Sequence, residues 1–199
     1  MIRIRRVYTT VLPADRRRVE QMQEIYRQNF SADAEYAEKI PTLLNAPVQS
    51  GFRSVLLVAE TAMGRVDGFS LFFQFAEVRS ALLDFIAVRR DIRGGGLGSA
   101  LYEATREYCR EAGARALYFE AQQDDPSQTR TREELEENRK RLRFYEHYGV
   151  RPIVNTAYET PIRPGGPAPF LLVDGLGRPE PLGRKECRAA GREVLKKKY

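Results

Sequence analysis

"ALLDFIAVRRDIRGGGLGSALYEA", residues 81–104, decides how the chain folds. Its first eight residues are apolar on both faces apart from Asp84. Such a strand belongs in the middle of a sheet covered on both sides. Further on, Leu97, Leu101, Ala104 and Tyr108 recur at helical spacing;. Between strand and helix stand Gly94, Gly95, Gly96 and Gly98, four glycines in five positions. Glycine is a poor helix former, and an ordinary turn needs one or two. Four at a helix start point to a backbone that something else must approach closely. A helix N-terminus leaves its first N–H groups unpaired at the positive end of the helix dipole, which suits an anion, phosphate above all. Arg93 adds a fixed guanidinium with fork geometry;. The loop therefore reads as a cradle for a diphosphate.

Working outward, "EAGA" (111–114) ends the helix and "ALYFEA" (116–121) is the next strand. Residues 81–121 thus form a strand–glycine loop–helix–strand unit. Upstream, "IRIRRVY" (2–8) alternates as an edge strand, and Asp15 can cap a helix carrying Val19, Met22, Tyr26 and Phe30;. Ser31 can cap a second helix holding Tyr36 and Ile40, which Pro41 breaks or restarts;. "RSVLLVAE" (53–60) and "FSLFFQFAEV" (69–78) read as a hairpin around the turn "MGRVDG" (63–68);. Downstream, "QQDDPSQTR" (122–130) is a polar loop, and Thr131 with Glu134 forms a capping box for a long helix;. Glu136–Lys140 and Glu137–Arg141 are favourable pairs on it, Leu135, Leu142 and Tyr145 face inward, and Gly149 with Pro152 closes it;. "RPIVNTAYET" (151–160) can be a strand. Segment 161–182 is rich in proline and glycine around the apolar run "FLLV" (170–173), and a basic helix follows.

At 199 residues and 42 % apolar composition, the chain suits one domain, or one domain with a small extension;. No apolar run reaches the ~20 residues of a membrane span, and "MIRIRRVYTT" lacks the apolar block of a secretory signal;. Cys109 and Cys187 have no Cys or His at metal spacing and read as free thiols in a reducing cytoplasm;. The net charge of +6 is local: segment 183–199 carries seven basic and two acidic residues, and the rest balances to about +1;. That pattern indicates a solvated tail helix, and no aromatic–basic interleaving points to nucleic acid.

Three phosphate loops can be compared with this one. A P-loop ends in Gly-Lys-Ser/Thr, and "GLGSA" has no lysine;. The dinucleotide fingerprint requires a glycine where Ser99 stands, although Glu120 lies near the place of its acidic residue;. The third fits best: Arg93-Gly94-Gly95-Gly96-Leu97-Gly98 resembles the Arg/Gln-x-x-Gly-x-Gly/Ala loop of the GNAT family of acyl-CoA N-acyltransferases. "NRKRLRFYEHYGV" (138–150) resembles that family's second signature, an Asn seven residues before a Tyr, here Asn138 and Tyr145. The two motifs come in the family's order, separated by a strand. The chain departs from the pattern where residues 122–137 lengthen the approach to Asn138, and where Arg141 replaces a small residue.

The resemblance implies an α/β fold, with a mixed, curved central sheet flanked by helices and splayed near the glycine loop. It implies a GNAT domain over 1–160 and a C-terminal extension over 161–199, packed on the same domain. It further implies that the backbone of Ile86, Ala87 and Val88 pairs with the pantetheine arm of acetyl-CoA, and that Val88 N–H polarises the thioester carbonyl. Arg93, Gly94, Gly95, Gly96, Leu97, Gly98 and Ser99 would hold the diphosphate, and Asn138 would touch the cofactor arm. Tyr145 aligns with the family's general acid toward the departing thiolate; its alternative is a core tyrosine. Asp84, a carboxylate in an apolar strand, is either a base for the substrate ammonium or a hydrogen-bonded structural group, with Glu120 as the next candidate. His147, two residues from Tyr145, reads as a surface residue. The expected reaction is acyl transfer from acetyl-CoA to a primary amine, of a small molecule or of a protein lysine or N-terminus, with no metal and no membrane; an oligomer is compatible. The alternative is a non-catalytic acyl-CoA-binding module that docks to a protein partner through its basic tail.

Overall fold

The computed structural model describes residues 1–46, 51–92, 94–154, 168–180 and 182–198. Along the chain run β1 (Ile2–Val7), α1 (Pro13–Asn29), a 3-10 segment (Ser31–Lys39), α2 (Ile40–Asn45), β2 (Arg53–Thr61), β3 (Val66–Phe75), β4 (Ser80–Val88), α3 (Leu97–Glu111), β5 (Ala116–Gln122), α4 (Arg132–His147), β6 (Arg151–Pro152), β7 (Pro169–Asp174) and α5 (Arg184–Lys198). Among the described residues the seven strands form one sheet in the order β1-β2-β3-β4-β5-β7-β6. The fold is the mixed α/β architecture expected. β1 to β4 are antiparallel neighbours. β5 runs parallel to β4, which requires a crossover, and α3 is that crossover;. β7 lies antiparallel between β5 and β6.

Both faces of the sheet are covered. Met22, Ile25 and Tyr26 of α1 pack on Leu56, Val58, Phe69 and Leu71. On the same face, further along, Ala190 and Val194 of α5 pack on Phe73, Leu82, Tyr118 and Leu171;. The opposite face takes α3 and α4, with Tyr102, Cys109 and Tyr145 against Phe72, Leu83, Phe119 and Leu172. β7 is tied to α3 by a buried polar knot. Asp174, 1 % exposed, accepts from Tyr102 Oη and Arg106 Nε, both at 2.8 Å, and from Leu176 N at 2.7 Å. A buried carboxylate needs such partners, and here it has three.

Several local expectations shift. α1 starts at Pro13 with Leu12 as its N-cap, and Asp15 pairs instead with Arg18 at 2.8 Å inside the first turn. Ser31 caps nothing: it opens a 3-10 segment kinked at Asp33, and a true helix resumes only at Ile40, with Pro41 in its first turn. The β2–β3 turn spans residues 62–65, and Gly68 lies inside β3. A Cβ at Gly68 would come within 2.9 Å of Ala87 O and of a Leu101 methyl, so this glycine serves the close packing of α3 on the sheet;. Thr131 does cap α4 by accepting from Glu134 N at 3.1 Å, while Glu134 reaches back to Arg130 N at 2.9 Å. Glu136 pairs with Arg139 at 3.1 Å rather than with Lys140. Residues 155–167, which hold most of the strand expected over 151–160, lie outside the described residues.

Candidate active site

The site begins where two strands part. β4 and β5 share a ladder only from Ser80 with Ala116 to Leu83 with Phe119. Beyond that, β4 continues to Val88 along β3, and β5 continues to Gln122 along β7. The sheet therefore splits between residues 84–88 and 120–122. On the β3 side, Leu71 faces Phe85 and Phe72 faces Leu83, so Asp84 is the extra residue of a bulge at the head of the split. A bulge bends its strand and re-aims the side chain. Ile86, Ala87 and Val88 pair with Ser70, Phe69 and Gly68 on one edge, and their other edge faces the split. The Val88 carbonyl accepts from Asn29 Nδ2 of α1 at 3.4 Å.

The glycine loop leads from β4 to the start of α3. Gly94 and Gly96 sit at φ 91° and 77°, and Gly96 is the N-cap of α3. Conformation alone accounts for those two. It does not account for Gly95 and Gly98. A Cβ at Gly98 would meet nothing within 4 Å, and one at Gly95 would touch only Ile92 O at an ordinary 3.6 Å. The fold makes no steric demand for glycine there, and the space before the helix end is open. The first helical bond runs from Ala100 N to Gly96 O at 3.0 Å. The N–H groups of Leu97, Gly98 and Ser99 precede it at the helix's positive end. Arg93 lies outside the described residues.

The acid and base candidates lie on opposite faces. Asp84 Oδ2 accepts from Tyr36 Oη at 2.8 Å, which places its carboxylate on the face of the 3-10 segment and α1. Alternation along β5 puts Glu120, half-buried, on that same face with Tyr118, while Phe119 points to α4;. Tyr145, 6 % exposed, lies on the α4 face with its ring centroid 4.5 Å from Phe119 and 5.2 Å from Tyr102. Burial pushes its phenol up to about 12, with Arg141 pulling the other way;. A cleft of about 350 Å³ opens beside it, lined by Leu142, Val150, Phe170 and Leu172 with Asp124 and Arg143.

Asn138 is 3 % exposed. Its Nδ2 donates to Gln123 O at 2.9 Å, and its Oδ1 accepts from Arg141 Nη1 at 3.2 Å. The amide thus ties α4 to the end of β5, and Arg141, the unusual residue of the motif, helps to hold it. His147 is exposed on α4. Sequence patterns gave no sign of Tyr36, whose contact with Asp84 spans 48 residues.

The acetyltransferase (GNAT) family model matches residues 19–150. No curated protein matches the chain by sequence. Among solved structures it is similar to Ard1 from Thermoplasma volcanium, at 22 % identity over 86 % of this chain and 95 % of that one, with a TM-score of 0.61. It is similar to the catalytic domain of Tetrahymena GCN5 histone acetyltransferase in complex with coenzyme A, at 13 % identity over 90 % and 96 %, TM-score 0.61. It is also similar to an aminoglycoside 6'-N-acetyltransferase complexed with coenzyme A, at 14 % identity over 92 % and 99 %, TM-score 0.63. At these identities the likeness is one of fold.

Proposed function

Because this chain belongs to the acetyltransferase (GNAT) family, we propose that it transfers an acetyl or close acyl group from acyl-CoA to a primary amine by direct attack. The observation that carries this reading is the cleared space at Gly95 and Gly98, before the α3 N-terminus and beside the split of β4 from β5. The structures of similar fold bound to coenzyme A support it. The N–H groups of residues 94–99, with Arg93, bind the diphosphate. The backbone of Ile86, Ala87 and Val88 takes the pantetheine arm as a strand-like guest, and Val88 N–H polarises the thioester carbonyl. Asn138 keeps a second amide N–H for that arm while its first holds Gln123;.

The amine arrives from the face of Asp84 and the thioester lies on the face of Tyr145, so the split is where they meet. Asp84 takes a proton from the ammonium. The freed nitrogen forms the C–N bond, the C–S bond breaks, and Tyr145 gives its proton to sulfur. Of the two protons the nitrogen sheds, one leaves through Asp84 to water and the other balances the one Tyr145 gave. The acceptor is a small-molecule amine or a protein lysine or N-terminus. The free thiols of Cys109 and Cys187 support a reducing compartment such as the cytoplasm;. Residues 161–199 belong to the same folding unit as 1–160, a reading supported by β7 between β5 and β6 and by the buried Val194 of α5.

Calorimetric titration with acetyl-CoA, followed by CoA release with a panel of small amines and lysine peptides, tests the proposal. Binding and release with one amine class are expected. No affinity of the wild-type chain for acetyl-CoA would overturn it.

A further inference from the structure

We propose that Tyr36 is a positioning residue of the transfer site, holding the Asp84 carboxylate at the head of the split on the side from which the amine arrives. This rests on the acyl-transfer reading above, with Asp84 as base.

Asp84 is the extra residue of a bulge, so the ladder with β3 constrains its direction less than that of its neighbours;. One hold on the carboxylate comes from another element. Tyr36 Oη donates to Asp84 Oδ2 at 2.8 Å, which takes up that oxygen and orients the carboxylate plane;. The anchor is itself fixed. The Tyr36 ring lies 5.2 Å from the ring of Phe85, the residue after Asp84, and 6.0 Å from that of Tyr26. The next residue, Ala37, is fully buried, and its carbonyl accepts from Gln23 Nε2 of α1 at 2.8 Å. So α1 holds the 3-10 segment, the segment holds Tyr36, and Tyr36 holds the base.

The ring sits beside Tyr26 and Phe85, where a phenylalanine would pack as well. The hydroxyl is what distinguishes tyrosine here, and it reaches the carboxylate. During the reaction the ammonium's proton moves to Asp84, converting carboxylate to carboxyl and ammonium to amine. Tyr36 exchanges no proton and keeps Asp84 facing the split.

The test is a double-mutant cycle of Tyr36→Phe and Asp84→Asn in the full chain. kcat and amine KM are measured per acetyl-CoA site counted by calorimetry, so unfolded material cannot imitate a loss. Tyr36→Phe should lower kcat about 10- to 100-fold, matching the worth of a hydrogen bond to a charged group, with acetyl-CoA affinity unchanged. Asp84→Asn should lose more, and the double variant no more than Asp84→Asn alone. Wild-type kcat in Tyr36→Phe beside a slow Asp84→Asn overturns the positioning role and leaves Asp84 as base. Wild-type kcat in Asp84→Asn overturns the base reading and Tyr36's role with it. Losses that multiply in the double variant also overturn positioning, since Tyr36 would then act by another route. Should Tyr36→Phe fail to fold, ¹³C-tyrosine spectra of wild type and Asp84→Ala read the same bond: the Tyr36 Cζ resonance should move, and an unmoved resonance overturns the proposal.

Discussion

Tyr145→Phe separates chemistry from packing more sharply than its burial suggests. The ring packs on Phe119, Tyr102 and Phe144, and phenylalanine keeps those contacts. Burial and the Arg141 charge, with no hydrogen bond among the described residues, set the state of the hydroxyl. Its removal breaks no bond that ties α4 to another element, and stability should change by at most ~1 kcal/mol, about 2–4 °C in Tm for a chain of this size. A proton donor toward sulfur should instead lose about 10²–10⁴-fold in turnover. The phenol is pushed up to about 12, whereas a thiolate in water takes its proton near ~8.5;. Proton transfer would then be uphill by about 5 kcal/mol, unless the dry site raises the proton affinity of sulfur as well. Acyl donors with better-leaving thiols should accordingly lose less in the variant. The sign of the pH dependence follows: the acid works protonated, so it is competent below about 12, and wild-type kcat should show no falling limb from Tyr145 up to about pH 11;. The assay is single-turnover CoA release at saturating acetyl-CoA, with melting in parallel. Full turnover in a well-folded Tyr145→Phe refutes the acid. A limb near pH 10 that vanishes in the variant refutes the dry phenol.

Other perturbations test other parts. Gly98→Leu adds a good helix former where a Cβ has open space, so melting should rise by the equivalent of about 0.5–1 kcal/mol while calorimetry shows acetyl-CoA affinity falling at least ~10-fold;; unchanged affinity would remove the diphosphate from the loop. Asp174→Asn strips the carboxylate from buried Arg106 and should cost about 3–5 kcal/mol in denaturant unfolding;, and a loss under ~1 kcal/mol would mean that the knot does not anchor β7. Burial pushes the Cys109 thiol up to about 12, so the stability it contributes is whole below about pH 9 and is lost as pH rises toward 12;. Cys109→Ala should flatten that alkaline loss, and an identical slope would show the thiol to be wetter than its position implies. Val194→Ala should cost about 2 kcal/mol, because two buried methyl groups leave a fully covered site;; no change in melting would mean that α5 is not held by its apolar face.

What was legible in the sequence was local. The helical repeat of α3, the glycines before it and the seven-residue step from Asn138 to Tyr145 each lie within one or two turns, where spacing maps directly onto a face. What was hidden depends on partners remote in the chain. "FLLV" reads as a strand, but nothing in four apolar residues tells that it lies between β5 and β6, with Asp174 under α3. Gly68 resembled a turn residue until α3 came against it.

β4 shows why the head of the split was invisible. Leu82 packs with α5 and Leu83 with α3 and α4, so strict alternation would put Phe85 with Leu83;. The bulge at Asp84 slips the phase by one residue;. Phe85 and Ala87 consequently join the α1 cluster, and Ile86 and Val88 turn toward α3. "ALLDFIAV" is apolar at seven of its eight positions, so either phase buries apolar side chains and the pattern carries no record of the slip;. The register with β3 records it, because the bulge is a property of two strands together. The one polar residue in that run sits at the slip itself, on the same face as Leu82 before it and Phe85 after it. There a tyrosine 48 residues upstream takes hold of the carboxylate.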